Sequence, residues 1–566
     1  MDEKEIKETD TWTLYEEALS YCRMIRMFED TDRNYRMYNG DQWNGRTFAG
    51  MEPVVLNFIK PIVKYKTGNI LLNYFAIKYS SENYENQEFI KPARKISDLL
   101  SKKASRIWEK DYMDIKARRI AKDACINDEG VVFVRTDENN LPVNEVLNKN
   151  DVFYGDENEM EIENQPYILI KQRKPVSEVK AIAEANGVSE KELDHIIGDL
   201  QNLEQAGEAA KYEKDNKCTI VTKLYKKDGN VYFSQTTRYV ELKKETNTGL
   251  KYYPVAHMIW EEKKGSARGE GEVRGLIPNQ LEANKTETRR AITVKNTAYN
   301  QRIANIAKIQ NPEALDEVGG TIKVTGGATT DDVAKIFANI PPAQMSPDAK
   351  ELLNELIQST RELAGAGDIA TGQVDPSSAS GRAILATQEA AQQPLTENLA
   401  NLKKFIEDLA RIWLDMIIVY SEDGIDLEEE VEDPYTKEKT IQLVHIPKVS
   451  LEELQAVVTI DITRKSAFDK YAQEEAIDAL LKAGMFSAEK MPELERYVKV
   501  LDDDSSKPKI RLQELVDDWN EEQQRIAQIE AQAQELIERT RMFIDSDPEA
   551  QVGQIMDAQA QTAMAQ

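Results

Sequence analysis

Two glycine-rich segments have spacings that could hold phosphate groups. Gly367–Gln373 places its glycines as in a nucleotide-binding loop, but Gln373 stands where that loop needs a phosphate-binding lysine. Gly269–Gly275 has one residue too many for the turn that binds dinucleotides, and Glu270 and Glu272 would repel phosphates. Neither segment therefore predicts a nucleotide site.

The residue types that usually carry catalysis are few or scattered. The chain has three histidines, His195, His257 and His445, which are far apart and lie in no paired metal-ligand motif. Its three cysteines are widely spaced and fit neither a disulfide framework nor a zinc module. No combination of serine, cysteine and histidine indicates a nucleophile, and the carboxylates are too numerous to single out a catalytic pair. We therefore expect no catalytic residues, no cofactor and no metal, although an enzyme with an unrecognised site stays open.

One predicted helix could contact phosphates weakly. Leu281–Gln301 is the only notably basic helix that we find in the sequence, and its cations are Lys285, Arg289, Arg290 and Lys295. Ion pairing with Glu282 and Glu287, within the helix or between subunits, is the interpretation that we favour. A weak ring of phosphate contacts is the alternative.

The composition limits the classes of protein that fit. A net charge of −27 argues against a surface that grips nucleic acid through many phosphates. The charge fits either an ordinary acidic protein or an acidic surface that DNA passes without sticking. The 566 residues are enough for several domains. No apolar run is long enough to span a membrane, and the charged N-terminus lacks the apolar segment of a secretion signal.

Hydrophobic periodicity predicts an α+β N-terminal half. Residues 11–40 have the spacing of one amphipathic helix that ends at Asn39-Gly40, and Pro53–Tyr79 is a helix that turns into a strand near Phe75. Asp228-Gly229, between two β-branched runs, predicts a hairpin. Further helices are predicted at 89–127, 176–186 and 189–200, and strands at 131–135, 143–147, 167–171, 219–225, 231–235 and 257–260.

The next segment consists of two helices around a small insertion. Leu281–Gln301 and a helix that starts at Ser346 bracket the mixed segment Ile303–Met345. Within that segment, Thr321–Thr325 is a strand candidate. An insertion between two helices should project from the body of the molecule.

A glycine- and serine-rich loop, Ala364–Gly381, leads into the longest helical pattern, Ser380–Tyr420. Pro394 lies inside that pattern and predicts a kink near Gln392. The apolar stripes of this helix and of the bracketing helices look too long for one small domain to bury, so we expect contacts between subunits there. Beyond it we predict an acidic loop at 422–433, a strand at 457–462 and helices at 466–484 and 511–543.

The order of these elements, with three short motifs, resembles the portal proteins of tailed bacteriophages. The motifs are Tyr38–Trp43, Asn57–Val63 and Ser380–Ile384, and the first contains the box Asp41, Gln42 and Trp43. The resemblance covers most of the chain, and the order of elements is a stronger argument than the box. It implies a predominantly helical α+β portal fold with a wing, a stem, a clip and a C-terminal helical crown.

The resemblance implies seven divisions of the chain. They are an N-terminal α+β wing at 1–281, a first stem helix at 282–302, a clip at 303–345, a second stem helix at 346–363, a tunnel loop at 364–381, a long kinked helix with a return to the wing at 382–464, and a crown with a flexible tail at 465–566.

The resemblance also implies a function. Such proteins usually form a ring of twelve copies at one capsid vertex, through which double-stranded DNA enters during packaging and leaves at infection. The implied protein partners are the terminase large subunit, which supplies the ATPase and docks on the clip, a later head-tail connector, and the major capsid and scaffolding proteins. The implied location is the portal vertex of the virion, after assembly in the host cytoplasm and without membrane contact. A long-helix structural or scaffolding protein without a DNA channel is the alternative.

The tunnel loop is where we expect DNA to be touched. The residues concerned are Gly365, Gly367, Asp368, Gly372, Gln373 and Asp375. The glycines lower the cost of changing the backbone conformation. Because the loop has no lysine or arginine before Arg382, we expect weak, steric contact with the DNA and no strong phosphate binding.

Overall fold

We describe the chain from a computed structural model. The described residues are 7–47, 53–71, 73–81, 90–137, 140–199, 217–298, 302–315, 317, 320–325, 336–339, 346, 348–367, 393–421, 424–432, 439–448, 456–464, 482, 516, 519, 523 and 525–539. They belong to two compact units, one within 1–71 and 76–460 and the other within 72–75 and 461–566. The elements together form an α+β fold, as predicted.

The N-terminal part is mainly helical. It contains helices α1 (Asp10–Met24), α2 (Met27–Asn39), α3 (Ile59–Ile70), α4 (Ile90–Lys110) and α5 (Met113–Asn127) and strand β1 (Asn73–Ser81). The single helix predicted over 11–40 is wrong, because Arg26 has a left-handed backbone (φ 61°) that separates α1 from α2. The predicted end at Asn39-Gly40 is confirmed. Gly40 takes the left-handed conformation (φ 98°) and donates its N–H to the Arg36 carbonyl.

Two antiparallel sheets follow α5. Their strands are β2 (Glu129–Thr136), β3 (Pro142–Leu147), β4 (Val152–Tyr154), β5 (Tyr167–Pro175), β6 (Lys217–Lys227), β7 (Asn230–Thr236), β8 (Glu241–Asn247) and β9 (Val255–Ile259). One sheet has the order β3-β2-β9 and the other β4-β5-β6-β7-β8. The predicted hairpin is confirmed, since Asp228 and Gly229 both have positive φ between β6 and β7.

Two short helices, α6 (Val176–Ala185) and α7 (Glu190–Leu193), lie between β5 and β6 in the chain. The helix predicted at 189–200 is therefore only one turn long within the described residues. The Asp199 carboxylate accepts hydrogen bonds from the Thr219 backbone N–H and hydroxyl, both at 2.9 Å. These bonds hold Asp199 on β6.

Two long helices flank a small ribbon. Helix α8 is Glu272–Ala298, strands β10 (Arg302–Ala304) and β11 (Phe337–Asn339) pair antiparallel, and helix α9 is Asp348–Leu363. α8 packs against α9. It begins at Glu272, ahead of the predicted Leu281, and continues through Pro278.

The strand predicted at Thr321–Thr325 is wrong. Val324 forms a single antiparallel bridge with Ile309. The side chain of Asn311 donates to the Thr321 carbonyl (2.8 Å) and accepts from the Lys323 N–H (2.7 Å). These side-chain bonds satisfy backbone groups that a ladder would otherwise pair.

Pro394 lies in a 3-10 turn, Gln393–Leu395, directly before helix α10 (Thr396–Tyr420). The described helix therefore begins after the proline. Residues 368–392, which include the predicted kink at Gln392, lie outside the described residues, so the kink stays a prediction.

The acidic loop predicted at 422–433 is wrong. Strand β12 (Ile425–Glu432) pairs antiparallel with β13 (Lys439–Ile446), with Ile425 opposite Ile446 and Leu427 opposite Val444. The prediction gave too much weight to the acidic residues and too little to Ile425, Leu427 and Val431, which alternate with them as in a strand. Strand β14 (Ala456–Arg464) confirms the strand predicted at 457–462.

Helix α10 is the centre of the first unit's core. Leu402, Phe405, Ile406 and Leu409 are fully buried, and the helix packs against β9. Since its own chain buries these residues, they are not available for contacts between subunits, and the expectation is wrong for this described part of the stripe. The part at Ile384, Leu385 and Ala391 lies outside the described residues.

The second unit is helical where it is described beyond β14. Residues 516, 519, 523 and 525–539 are helical, as predicted for 511–543. Residues 465–481 and 483–515 lie outside the described part. None of the described helices combines the length and the hydropathy that a membrane span needs.

Candidate functional site

The box Asp41, Gln42 and Trp43 directly follows α2 and joins it to α8. Gln42 is 7% exposed and accepts, at Oε1, a hydrogen bond from Nδ2 of Asn284. Trp43 donates from Nε1 to the Val54 carbonyl (3.1 Å), and Asp41 is exposed. Gln42 is therefore a buried structural anchor.

Three polar side chains of α8 hold the segment that follows the box. Gln280 and Asn284 are fully buried, and Thr288 is 3% exposed. Their oxygens accept hydrogen bonds at 2.9–3.0 Å from the backbone N–H groups of Phe58, Leu56 and Val54, in that order. Residues four apart share one face of a helix, so α8 presents a polar row to an extended chain. Sequence reasoning missed this row, although its regular spacing of Gln, Asn and Thr was a usable signal.

The cations predicted to contact phosphates are Lys285, Arg289, Arg290 and Lys295. Glu282 lies 3.4 Å from Lys285 and 3.6 Å from Arg289, and Glu287 lies 3.1 Å from Arg290. The ion pairing that we favoured is confirmed as pairing within the helix. Lys295 is exposed. Exposed pairs of this kind stabilise by at most about 1 kcal/mol, so another anion could displace the glutamates from these cations.

The first residues of the predicted tunnel loop form a helix cap. Gly365 has φ +67° and donates its N–H to the Glu362 carbonyl (2.9 Å), while the next N–H, of Ala366, reaches the Arg361 carbonyl (2.8 Å). These two bonds form a Schellman motif that ends α9. Gly365 is therefore fixed at a cap. Asp368, Gly372, Gln373 and Asp375 lie outside the described residues.

We expect Gly365→Ala to lower the free energy of unfolding by about 1–2 kcal/mol, because an alanine is strained in the left-handed conformation. Denaturant unfolding measures the change. Gly367→Ala is the matched control, since Gly367 lies outside the left-handed region. An added Cβ there would lie 3.4 Å from the flexible Glu362 side chain and 3.8 Å from the Glu362 Cα, which is ordinary contact. Equal losses in both variants would contradict the cap.

The segment between α8 and α9 exposes apolar residues. Ile303 is 60% exposed on β10, and Ile306 is 64% exposed in the turn that follows. The two side chains are three residues apart, and contiguous exposed apolar patches mark surfaces that bind other proteins.

A buried charged cluster links β2 and β4 to the segment that precedes α8. Arg268 is 4% exposed and pairs with Glu129 and, at 3.2 Å, with Glu157. Its Nη2 donates to the Val152 carbonyl (2.7 Å). Burial raises the pKa of Tyr154 well above its ordinary value, and its hydroxyl donates to Glu129 (2.9 Å). Every member is engaged with another member, so the cluster is a structural network.

Groups that could act as acids, bases or nucleophiles are held neutral by burial. Burial lowers the pKa of His257 to about 4, with Lys404 adding to the shift. Burial raises the pKa of the Cys22 thiol to about 11 and that of Cys218 to about 12. Within the described ranges, no group of three or more His, Cys, Asp or Glu residues could hold a metal ion.

Helix α4 is more basic than α8, so the sequence-based prediction of a single notably basic helix is wrong. α4 carries seven lysine or arginine residues and two acidic ones. The excess of lysine and arginine is visible in the sequence, but the spacing of the apolar residues of α4 indicated only its packing face.

Comparison with known proteins identifies a family. A family model described as "Phage P22-like portal protein" matches residues 13–566, which leaves out only the first twelve residues. No curated protein matches this chain.

Proposed function

We propose how the parts of this chain serve a DNA channel. The premise is that the chain belongs to the P22-like phage portal family and is a phage portal protein. The observation that carries the premise is the family match over residues 13–566. Membership implies an oligomeric ring that associates with the phage capsid. The finer proposal is a ring of twelve copies at one capsid vertex, assembled in the host cytoplasm, that passes double-stranded DNA during packaging and ejection.

The proposed divisions keep the wing at 1–281, the stem helices at 282–302 and 346–363, the clip at 303–345, the tunnel loop at 364–381, the long helix and wing return at 382–464, and the crown and tail at 465–566. Two observations support a stem built from α8 and α9. The two helices pack together, and Asn279 Nδ2 donates to Thr360 Oγ1 at 3.0 Å. Val294 on α8 and Leu352 on α9 are more than 60% exposed, which suits packing against neighbouring copies.

The tunnel loop is proposed to touch DNA without reading its sequence. It carries Asp368 and Asp375 and no cation before Arg382, so phosphates gain little by binding there. The cap at Gly365 would fix where the loop leaves the stem. A possible second contact, the row from Lys285 to Lys295, would act only where phosphates displace the glutamates that now pair with it.

Counting the subunits tests the ring. We expect a closed ring with about twelve copies in native mass measurement and negative-stain images, since closed cyclic symmetry is the common solution for identical subunits. A dimer or a filament would instead favour the structural or scaffolding alternative. We expect the purified ring to hydrolyse no ATP, since the motor is the separate terminase.

The clip is the proposed docking surface for the terminase large subunit and later for the head-tail connector. The exposed Ile303 and Ile306 support this assignment, as does its position between α8 and α9. We expect a shortened Thr321–Asp332 to leave the ring intact and to abolish binding of terminase and connector, measured by co-sedimentation.

The control for that experiment shortens Lys263–Gly265, an exposed turn outside the clip. Rings of this control should bind both partners normally. If the clip-shortened ring binds both partners as well as the control does, docking lies elsewhere on the chain.

A further inference from the structure

The basic face of α4 lines a groove of about 180 Å³. Its described lining includes four cationic side chains, Lys102, Lys103, Arg106 and Lys110, and one carboxylate, that of Asp426 on β12. Leu99 and Ile107 form its floor and are at most 6% exposed. The described lining therefore carries more positive than negative side chains in a chain whose net charge is −27.

We propose that this groove, named here the α4 groove, binds phosphate groups of the DNA backbone. Lys102, Arg106 and Lys110 lie four residues apart, so they form one stripe with steps of about 6 Å. That step is comparable to the distance between successive phosphates of one DNA strand. A regular row of cations at this spacing suits a polyphosphate chain.

Two of the lysines are available for such a ligand. Among the described residues Lys102 forms no ion pair or hydrogen bond, and it is exposed. Lys110 has only a long pair with Asp137 (3.5 Å), and 65% of its side chain is exposed. Lys103 and Arg106 already have contacts of their own, as three of the α8 cations do, so Lys102 and Lys110 are the side chains that a new ligand would meet first.

A phosphate group fits the α4 groove better than an acidic peptide does. The volume of about 180 Å³ has room for one phosphodiester group at a time, and the neighbouring phosphates would follow the stripe on α4. One side of α4 is also already covered by a strand, since β12 packs against it. An extended peptide would gain no backbone hydrogen bonds from α4, because the backbone groups of a helix are paired within it.

The acidity of the chain sets the conditions for binding. Like charges elsewhere repel DNA, and salt screens charges beyond about 8 Å at physiological ionic strength. Binding should therefore be local, independent of sequence and strongest at low salt. The proposal does not depend on the tunnel loop, the clip or the number of subunits.

The test measures binding of a short fluorescent DNA duplex by anisotropy over a salt series. We expect Lys102→Glu with Lys110→Glu to weaken binding about tenfold at low salt and to flatten the salt dependence, because two phosphate contacts are lost. The matched control is Lys263→Glu with Lys264→Glu, which makes the same change of charge at two exposed residues outside the groove. The control should bind as the unchanged protein does.

A second variant should act in the opposite direction. Asp426→Asn removes the carboxylate of the groove and should strengthen binding severalfold, while Glu184→Gln, at an exposed position on α6, should not. Thermal melting checks that all variants stay folded.

Three results would overturn the proposal. The first is an equal loss of binding in the groove variant and in the lysine control. The second is no gain from Asp426→Asn. The third is a hexaglutamate peptide that displaces the duplex and binds the groove more tightly than the DNA does, which would assign the site to an acidic protein. Loss of ring assembly or of terminase binding would leave this proposal unaffected. The phosphate site on α4 and the proposed portal function can therefore fail separately.

Discussion

Leu402→Asp should prevent the protomer from folding. Leu402 is fully buried on α10, in the centre of the first unit. Truncating such a leucine costs about 2–5 kcal/mol, and a carboxylate buried without a partner adds several more. The sum approaches the whole stability of an ordinary domain, about 5–15 kcal/mol. We expect the variant to be insoluble, or to lose its cooperative thermal transition, before any question of assembly arises.

Ala400→Asp is the matched control for that variant. It introduces the same carboxylate on the same helix, two residues earlier, at an exposed position. It should fold, with a loss below about 1 kcal/mol from helix propensity. A Leu402→Asp protein that melts at the same temperature as Ala400→Asp would show that α10 is not packed as described.

Arg268→Met should cost about 3–5 kcal/mol of stability, because it leaves Glu129 buried without its cation. Glu129 is 1% exposed, and its other contact is the hydroxyl of Tyr154. The methionine matches the length of the arginine stem but carries no charge and donates no hydrogen bond. Denaturant unfolding of the variant and of the unchanged protein measures the loss.

The double variant Arg268→Met with Glu129→Gln tests the cause. Removing both charges should recover a large part of the lost stability, since the cost comes from the unpaired carboxylate more than from the missing pair. The loss in free energy of unfolding of the double variant can instead equal the sum of the losses of the two single variants. In that case Arg268 acts through packing, and its pairing with Glu129 contributes little.

Much of the fold could be predicted because its signals are local. The hairpin at Asp228-Gly229 follows from residues that tolerate positive φ, and the end of α2 follows from Gly40. The wrong predictions arose where distant contacts decide the outcome. The acidic run before Asp433 became β12 because β13 pairs with it, and Asp199 bonds to Thr219, which is twenty residues away in the chain.

The sequence by itself determined the family, the α+β character and the ion pairs of α8, because motif order, periodicity and neighbours on one helix turn are written within short stretches of chain. Only the tertiary structure decided what the box is for. The bond between Gln42 and Asn284 joins residues 242 positions apart, and the pair of Arg268 with Glu129 spans 139. A buried polar group needs a partner, but that partner is chosen by the packing of the whole chain, which no local pattern records.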